Sequence, residues 1–317
     1  MTRPHPRRTT LLLVSLAALA TALVACSSDK SASPTTTTTP ATDAANPCSS
    51  SGKAPKTYAH VVMVLEENRT WSGGRSPGVG MGFSGGNMPY LSGLAARCSY
   101  YTDWEETNGE QNSLNQYIGL TSGVANPDTV DDCTPSATCQ STDNNIFRQI
   151  RTAGGTPRTF VDNATEPCSA GKNAPKHIPA LYYQGGHDAS FCTKEVLPLS
   201  KFDPNALPTL SFIVPDLCND GHDCSDETVD SWARKTLAPV LASKDYRAGN
   251  TLVVVVYDED QPVPNLLIAP TANKGRISSV AGSHADLLKT IEEALGLKVM
   301  DQGQLPDAVS LRSSSGV

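Results

Sequence analysis

The sequence predicts an α/β domain, disulfide-stabilised, with a largely parallel central sheet sandwiched between helices. Three observations carry this reading. Two apolar runs, 61–65 and 251–257, are continuous rather than alternating, as in strands buried on both faces. Stretches of helical period lie between such runs, and that alternation produces parallel sheets. Once Cys26 is set aside, eight of the nine cysteines remain, an even number that suits an oxidising compartment.

Residues 1–25 read as a lipoprotein signal peptide. Arg3, Arg7 and Arg8 precede an apolar run from 11 to 25, and Leu23-Val24-Ala25-Cys26 is a lipobox that marks Cys26 for lipidation. The segment 26–56 is then a lipidated Cys and a disordered tether of Ser, Thr, Ala and Pro, with five consecutive Thr at 35–39. This places the protein on the extracytoplasmic face of a cell membrane, held by its lipid anchor. A catalytic domain is expected over 57–300, followed by a tail over 301–317 whose last five residues look frayed.

Within the domain, the first strand, 61–65, stops at Glu66-Glu67-Asn68. A helix follows over 88–96. In "TNGEQNSLNQYIGLTSG", 107–123, Ser113 follows a polar loop and opens a short helix carrying Tyr117. A helix over 144–153 ends at Gly154-Gly155, and a weaker strand covers 159–162. The strand at 210–214 ends at Pro215-Asp216 and leads into "CNDGHDC", which holds His222 and Asp223. A helix over 226–242 contains Pro239, which should kink or end it. The strand at 251–257 stops at Asp258-Glu259, and another covers 266–269. The final helix, 286–295, has one apolar face, with Ser283 and Asp286 at capping-box spacing and Gly296 at its stop.

The shortest loops favour Cys133 with Cys139 and Cys218 with Cys224. Cys168 with Cys192 is the next choice, which leaves Cys48 with Cys98. No pair has CxxC spacing, so a thiolate zinc site is not expected. The net charge of −7 argues against nucleic acid as a partner. Small molecules fit better.

In a parallel α/β sheet, ligands bind outside the carboxyl ends of the strands. Two such ends carry Glu67 with Asn68 and Asp258 with Glu259. Acids there are commonly solvated, but two clusters after two almost purely apolar strands point to a shared site. Carboxylates and an amide suit one divalent cation, Mg²⁺, Mn²⁺ or Ca²⁺, or Zn²⁺ if a histidine joins them. Past the signal peptide only His60, His177, His187, His222 and His284 are available, so a histidine-rich pair of zinc sites is not expected. His60, at a strand start, reads as structural. Ser113 could be the nucleophile, since a helix N-terminus accommodates a phosphoryl group and a nearby cation would lower the hydroxyl's pKa. Serine is also a common N-cap, and both roles stay open. His222 and His284 could donate to phosphate, protonate a leaving alkoxide or bind metal.

Five stretches together resemble a bacterial phosphoesterase family that includes phospholipases C and acid phosphatases, a branch of the alkaline-phosphatase-like superfamily. They are "VVMVLEENRTW", "NSLNQYIGLTSG", "LPTLSFIVPDLCNDGHDCS", "VVVVYDED" and "GSHADLLKTIEEALGL", in the family's order over roughly 60–297. The resemblance implies an alkaline-phosphatase-like fold. It also implies a metal held by Glu67, Asn68, Asp258 and Glu259, a phosphorylated Ser113, and contacts from His222 and His284, with Asn68, Tyr117 and Asp223 near substrate. Three departures stand out: Gln111-Asn112 where acid phosphatases often have His-Pro, Trp71 for Phe, and a short segment after Glu259. The sulfatase signature Cys-x-Pro-x-Arg is absent. A phosphomonoesterase is therefore expected, with a phospholipase C or a catalytically silent binding protein of the same fold as alternatives.

Overall fold

The computed structural model describes residues 46–50, 52–70, 87–107, 112–129, 131–277 and 279–317. Cys26, the signal segment, Trp71 and Gln111 lie outside these.

The strands are β1 His60–Glu66, β2 Ser99–Tyr101, β3 Trp104–Glu105, β4 Pro157–Val161, β5 Val196–Pro198, β6 Leu210–Val214, β7 Thr251–Tyr257, β8 Asn265–Ile268, β9 Gly275–Ile277 and β10 Gly282–Ser283. The α-helices are α1 Pro89–Ala95, α2 Ser113–Ser122, α3 Ile146–Thr152, α4 Cys192–Glu195, α5 Asp226–Ala242, α6 Lys244–Arg247, α7 His284–Ala294 and α8 Arg312–Ser315. Eight strands form the main sheet in the order β5-β4-β6-β1-β7-β8-β2-β9, and β10 pairs with β3 separately.

Strands β5, β4, β6, β1 and β7 run parallel, which is the arrangement expected for continuous apolar runs. Every residue of β6 and β7 is buried. Strand β8 is antiparallel to both β7 and β2. Alternation along β1 sends its last residues to opposite sides. On one side, Tyr257, paired in register with Glu66, donates from its hydroxyl to Met88 Sδ beside α1. On the other, Glu67 meets α2.

Pro239 lies inside α5, which continues to Ala242 without ending at the proline. Its missing N–H leaves the carbonyl of Lys235 without its intrahelical donor, one bond that the helix forgoes near its end. Ser283 caps α7, its hydroxyl accepting from Asp286 N at 3.1 Å, and the Asp286 carboxylate reaches back to the Ser283 backbone, the capping box that the spacing predicts. The same carboxylate also accepts from Val309 N at 2.6 Å and ties down the chain's end. The tail is thus packed rather than frayed: Leu305, Leu311 and Val317 are buried, and Ser315 O accepts from Ser99 Oγ. Structure also begins before residue 57, for Cys48 is buried and Pro47 O accepts from Tyr246. The four disulfides are Cys48–Cys98, Cys133–Cys139, Cys168–Cys192 and Cys218–Cys224, the pairing that loop length suggested. No helix among the described residues is long and apolar enough to cross a membrane.

Candidate active site

The carboxyl ends of β1 and β7 are stitched together by backbone. Asp258 N donates to Glu66 O at 3.1 Å, and Asn68 N donates to Asp258 Oδ1 at 3.0 Å. Asn68 adopts φ +37°, a left-handed conformation that asparagine tolerates better than most residues, and its amide donates to Glu259 Oε1. Rigid strands on both sides leave these acids little room to relax apart.

Ser113 joins them from α2. The N-cap of that helix is Asn112, whose side chain accepts from Asn115 N at 2.9 Å. Ser113 is the first helical residue, so its hydroxyl is not spent on capping. It donates to Glu67 Oε2 at 3.2 Å and also bonds to Asp258. Tyr117, one turn on, donates to Glu67 Oε1 at 2.6 Å. Glu67, Asn68, Ser113, Asp258 and Glu259 are thus one cluster, as the strand-end argument anticipated.

Three further residues complete it. The turn Pro175–His177 places the His177 ring on Tyr117, with centroids 5.2 Å apart and planes 10° from parallel. His177 Nε2 lies 3.1 Å from Glu67 Oε1 and Nδ1 lies 3.3 Å from Asp220 Oδ2. Neither contact is aligned as a hydrogen bond. Lys176 Nζ lies 3.2 Å from Ser113 Oγ and 3.0 Å from Asp132 Oδ2.

Burial dominates the electrostatics. It raises Glu67 well above the usual carboxylate range, with the charges of Asp258 and Asp220 adding to it. It also raises Asp220 to about 7, and Asp258, helped by Glu259, to about 8. Burial and then the charges of Lys176 and His222 lower His177 to about 3, so its imidazole is neutral. Burial opposes the charge on Lys176, but Asp132, Glu67 and Asp258 hold its pKa above normal.

The donor set fits a divalent cation. Glu67, His177 and Asp220 are buried and each offers a ligand atom within 4.8 Å of the others, so this triad could hold a metal ion. Beside it, Asn68 Oδ1 and Asp258 Oδ2 are buried without a hydrogen-bond partner among the described residues, as are Asp220 Oδ2 and both His177 nitrogens. Several buried acids with unsatisfied lone pairs and a neutral imidazole make little sense without positive charge among them.

The structure gives three residues roles other than those anticipated. His284 is buried and both ring nitrogens are engaged: Nδ1 accepts from Trp104 Nε1 at 3.1 Å and Nε2 pairs with Asp258 O at 2.7 Å, which assigns the Nε2–H tautomer. Burial lowers its pKa to about 4. It positions the Asp258 backbone, and both of its nitrogens are already occupied in doing so. Tyr117 likewise supports Glu67 and His177 from a fully buried position. Asp223 is exposed and accepts from His222 Nδ1 at 2.7 Å, so it orients that ring. His222, partly exposed, lies with its ring 6.2 Å from His177 at the mouth of the cluster. His60, as expected, is structural, bonded to Pro208 O at 2.9 Å.

A mostly parallel sheet with a serine and buried acids at its carboxyl edge defines an α/β protein with the fold of the alkaline phosphatase superfamily. A solved member from Vibrio parahaemolyticus superposes with a TM-score of 0.50 at 12% identity, covering 80% of this chain and 70% of that one. The chain belongs to the Phosphoesterase family, whose sequence profile matches residues 79–298. It is 28% identical to a phosphatidylinositol-3-phosphatase of Mycobacterium tuberculosis over 255 residues, 76% of this chain and 78% of the relative. An acid phosphatase of Aspergillus fumigatus is 29% identical over 89 residues, 27% of this chain and 20% of that protein. The protein is accordingly a hydrolase of phosphoester bonds.

Proposed function

We propose that this is a metal-dependent phosphomonoesterase, in which Ser113 is the nucleophile and residues 57–300 are the catalytic domain. Residues 1–25 are its lipoprotein signal peptide, and lipidated Cys26 anchors it through the 26–56 segment to the outer face of a bacterial cell membrane. The observation that carries the reading is the Ser113 hydroxyl, left free of capping and directed at Glu67. Glu67, Asn68, Asp258 and Glu259 would hold the cation, with His177 and Asp220 extending the site. A bound cation would offset negative charge on the phosphoryl oxygens and favour the ionised hydroxyl. Ser113 Oγ, its proton accepted by Glu67, attacks phosphorus; the ester P–O bond breaks and phosphoserine forms. His222, oriented by Asp223, stands where it can give the departing alkoxide its proton. Water then cleaves phosphoserine.

The short segment after Glu259 supports a small or membrane-surface monoester rather than a diester gripped by its acyl chains. The resemblance to a phosphatidylinositol-3-phosphatase adds a phosphoinositide to the candidates. Wild type and Ser113→Ala are compared on 4-nitrophenyl phosphate, phosphatidylinositol 3-phosphate and phosphatidylcholine. Release of phosphate from the monoesters, abolished in the variant, is expected. Turnover of phosphatidylcholine alone would indicate a phospholipase C. Inactivity on all three, with ligand binding retained, would indicate a silent binding protein.

A further inference from the structure

The turn Pro175–His177 sends two adjacent side chains to different parts of the site. His177 goes inward to Glu67 and Asp220, while Lys176 goes to the nucleophile. The lysine is fixed there by an unusual anchor. Asp132, at φ +52°, accepts from Lys176 Nζ through Oδ2 at 3.0 Å and from Leu114 N, in the first turn of α2, through Oδ1 at 2.9 Å. One carboxylate therefore ties the ammonium to the helix that carries Ser113. The ammonium cannot swing away without breaking an ion pair whose acid is itself held by the helix.

This geometry matters for what is bonded to Ser113 Oγ. A group attached there places its outer oxygens around the bridging one, within reach of an ammonium already 3.2 Å from Oγ. Among the described residues, the other charged side chains bonded to the hydroxyl, Glu67 and Asp258, are acids, so Lys176 supplies protein-borne positive charge beside it. A fixed cation attracts a dianion about twice as strongly as a monoanion at the same distance.

We propose that Lys176 is a catalytic residue that binds a non-bridging oxygen of the phosphoryl group on Ser113 and favours phosphomonoester dianions over phosphodiester monoanions. This rests on Ser113 being the nucleophile. Asp132 is its positioning residue.

The test compares Lys176→Met and Lys176→Arg with wild type. Rates are taken on 4-nitrophenyl phosphate and bis(4-nitrophenyl) phosphate, and binding of inorganic phosphate is measured by calorimetry. Lys176→Met should lower monoester kcat/KM by about 100-fold and diester kcat/KM by less than about tenfold, the size of effect for losing one charged donor to a reacting oxygen. Lys176→Arg, which keeps the charge, should restore the monoester rate to within about tenfold of wild type. Phosphate should bind about tenfold more weakly to Lys176→Met than to wild type. Equal losses on the two esters, or unchanged phosphate binding, would overturn the proposal. If Lys176→Met misfolds because Asp132 is left unpaired, the double variant Asp132→Asn/Lys176→Met removes both charges and reads the same way. Phosphate titration separates this proposal from the nucleophile assignment: lysine-dependent binding in an enzyme whose Ser113→Ala form still turns over would sink the assignment and leave Lys176 a phosphate ligand.

Discussion

Stripping divalent cations should reverse how this protein's stability depends on pH. In the folded chain burial raises Asp220 to about 7, and burial with the charge of Glu259 raises Asp258 to about 8, while Glu67 is pushed in the same direction. A carboxyl with a folded pKa above its unfolded value holds its proton more tightly in the native state. Its full benefit is present below about pH 4, where the unfolded chain is also protonated, and is lost as pH rises through the folded pKa. Forcing ionisation of a carboxyl lifted from about 4 to about 8 costs roughly 5 kcal/mol, and one lifted to about 7 roughly 4 kcal/mol. Near pH 8 the cation-free protein should therefore be less stable than near pH 5 by about 5 kcal/mol or more. For a domain of this size that lowers Tm by about 10 °C or more.

A divalent cation reverses the sign, because it binds the ionised carboxylates and its own affinity rises with pH. Scanning calorimetry across about pH 5 to 8, with chelator and with excess Mn²⁺ or Mg²⁺, reads both slopes. Glu292 provides an internal control: burial raises it to about 7, but it accepts from Met300 N at the far end of α7. Its contribution is the same with or without cation, so the difference between the two slopes isolates the acid cluster. The reasoning is wrong if the stripped protein melts at one temperature across this range, or if added cation stabilises no more at high pH than at low.

The neighbouring glutamates at the end of β1, Glu66 and Glu67, should respond oppositely to the same change. Glu66 is fully buried, neither oxygen has a hydrogen-bond partner among the described residues, and burial followed by the charge of Asp220 raises its pKa, so it carries a proton that Gln can mimic. Glu66→Gln should keep Tm within about 3 °C, whereas Glu67→Gln, which disrupts the contacts to Ser113 and the cation, should cost at least about 100-fold in kcat/KM; similar kinetic losses in both would refute the distinction. His177→Phe keeps a ring to stack on Tyr117 but removes both nitrogens, and should raise the cation concentration for half-activation by about 10- to 100-fold. Opening Cys218–Cys224, whose ring encloses Asp220 and His222, with a double Ser substitution should remove about 2 kcal/mol of stability. Its kcat/KM should fall as well, because Asp220 and His222 lose the ring that holds them.

The parts of the fold that could be read in advance are those where one physical demand acts on consecutive residues. Strands β1, β6 and β7 are buried on both faces, so each position must be apolar and the run announces itself. Strands β2, β5 and β9 are three residues each, too short for any period to show. The antiparallel sense of β8 depends on what its neighbours leave open, not on its own residues. In the site, Glu67, Asn68, Asp258 and Glu259 were legible because each follows an unambiguous strand. Asp220 lies in the same stretch as His222, but follows no strand directly and so carries no strand-end signal of its own. His177 had no such frame, since it sits in a single 3₁₀ turn between Pro175 and Pro179. The two prolines hint at a rigid turn, and that was the available signal. For His284 the sequence does not distinguish a helix N-terminus from a buried pair of hydrogen bonds, since either keeps a histidine neutral.

Burial separates a functional cluster from ordinary acidic strand ends. Acids that merely terminate strands turn to water, where ionisation is free. Here Glu66, Glu67 and Asp258 are 0% exposed and Glu259 is 6% exposed. Among the described residues, short polar contacts link them: Asn68 to Asp258 and Glu259, and Ser113 and Tyr117 to Glu67. None of those partners is cationic, and the nearby Lys176 is already paired with Asp132. Removing such acids from water costs several kcal/mol each unless countercharge arrives, and hydrophobic residues would pack the same space without that penalty. A fold shaped for stability alone would not retain them. Their presence at the junction of β1 and β7, beside a serine whose helix is capped by another residue, is what the proposed cation and phosphoryl site requires.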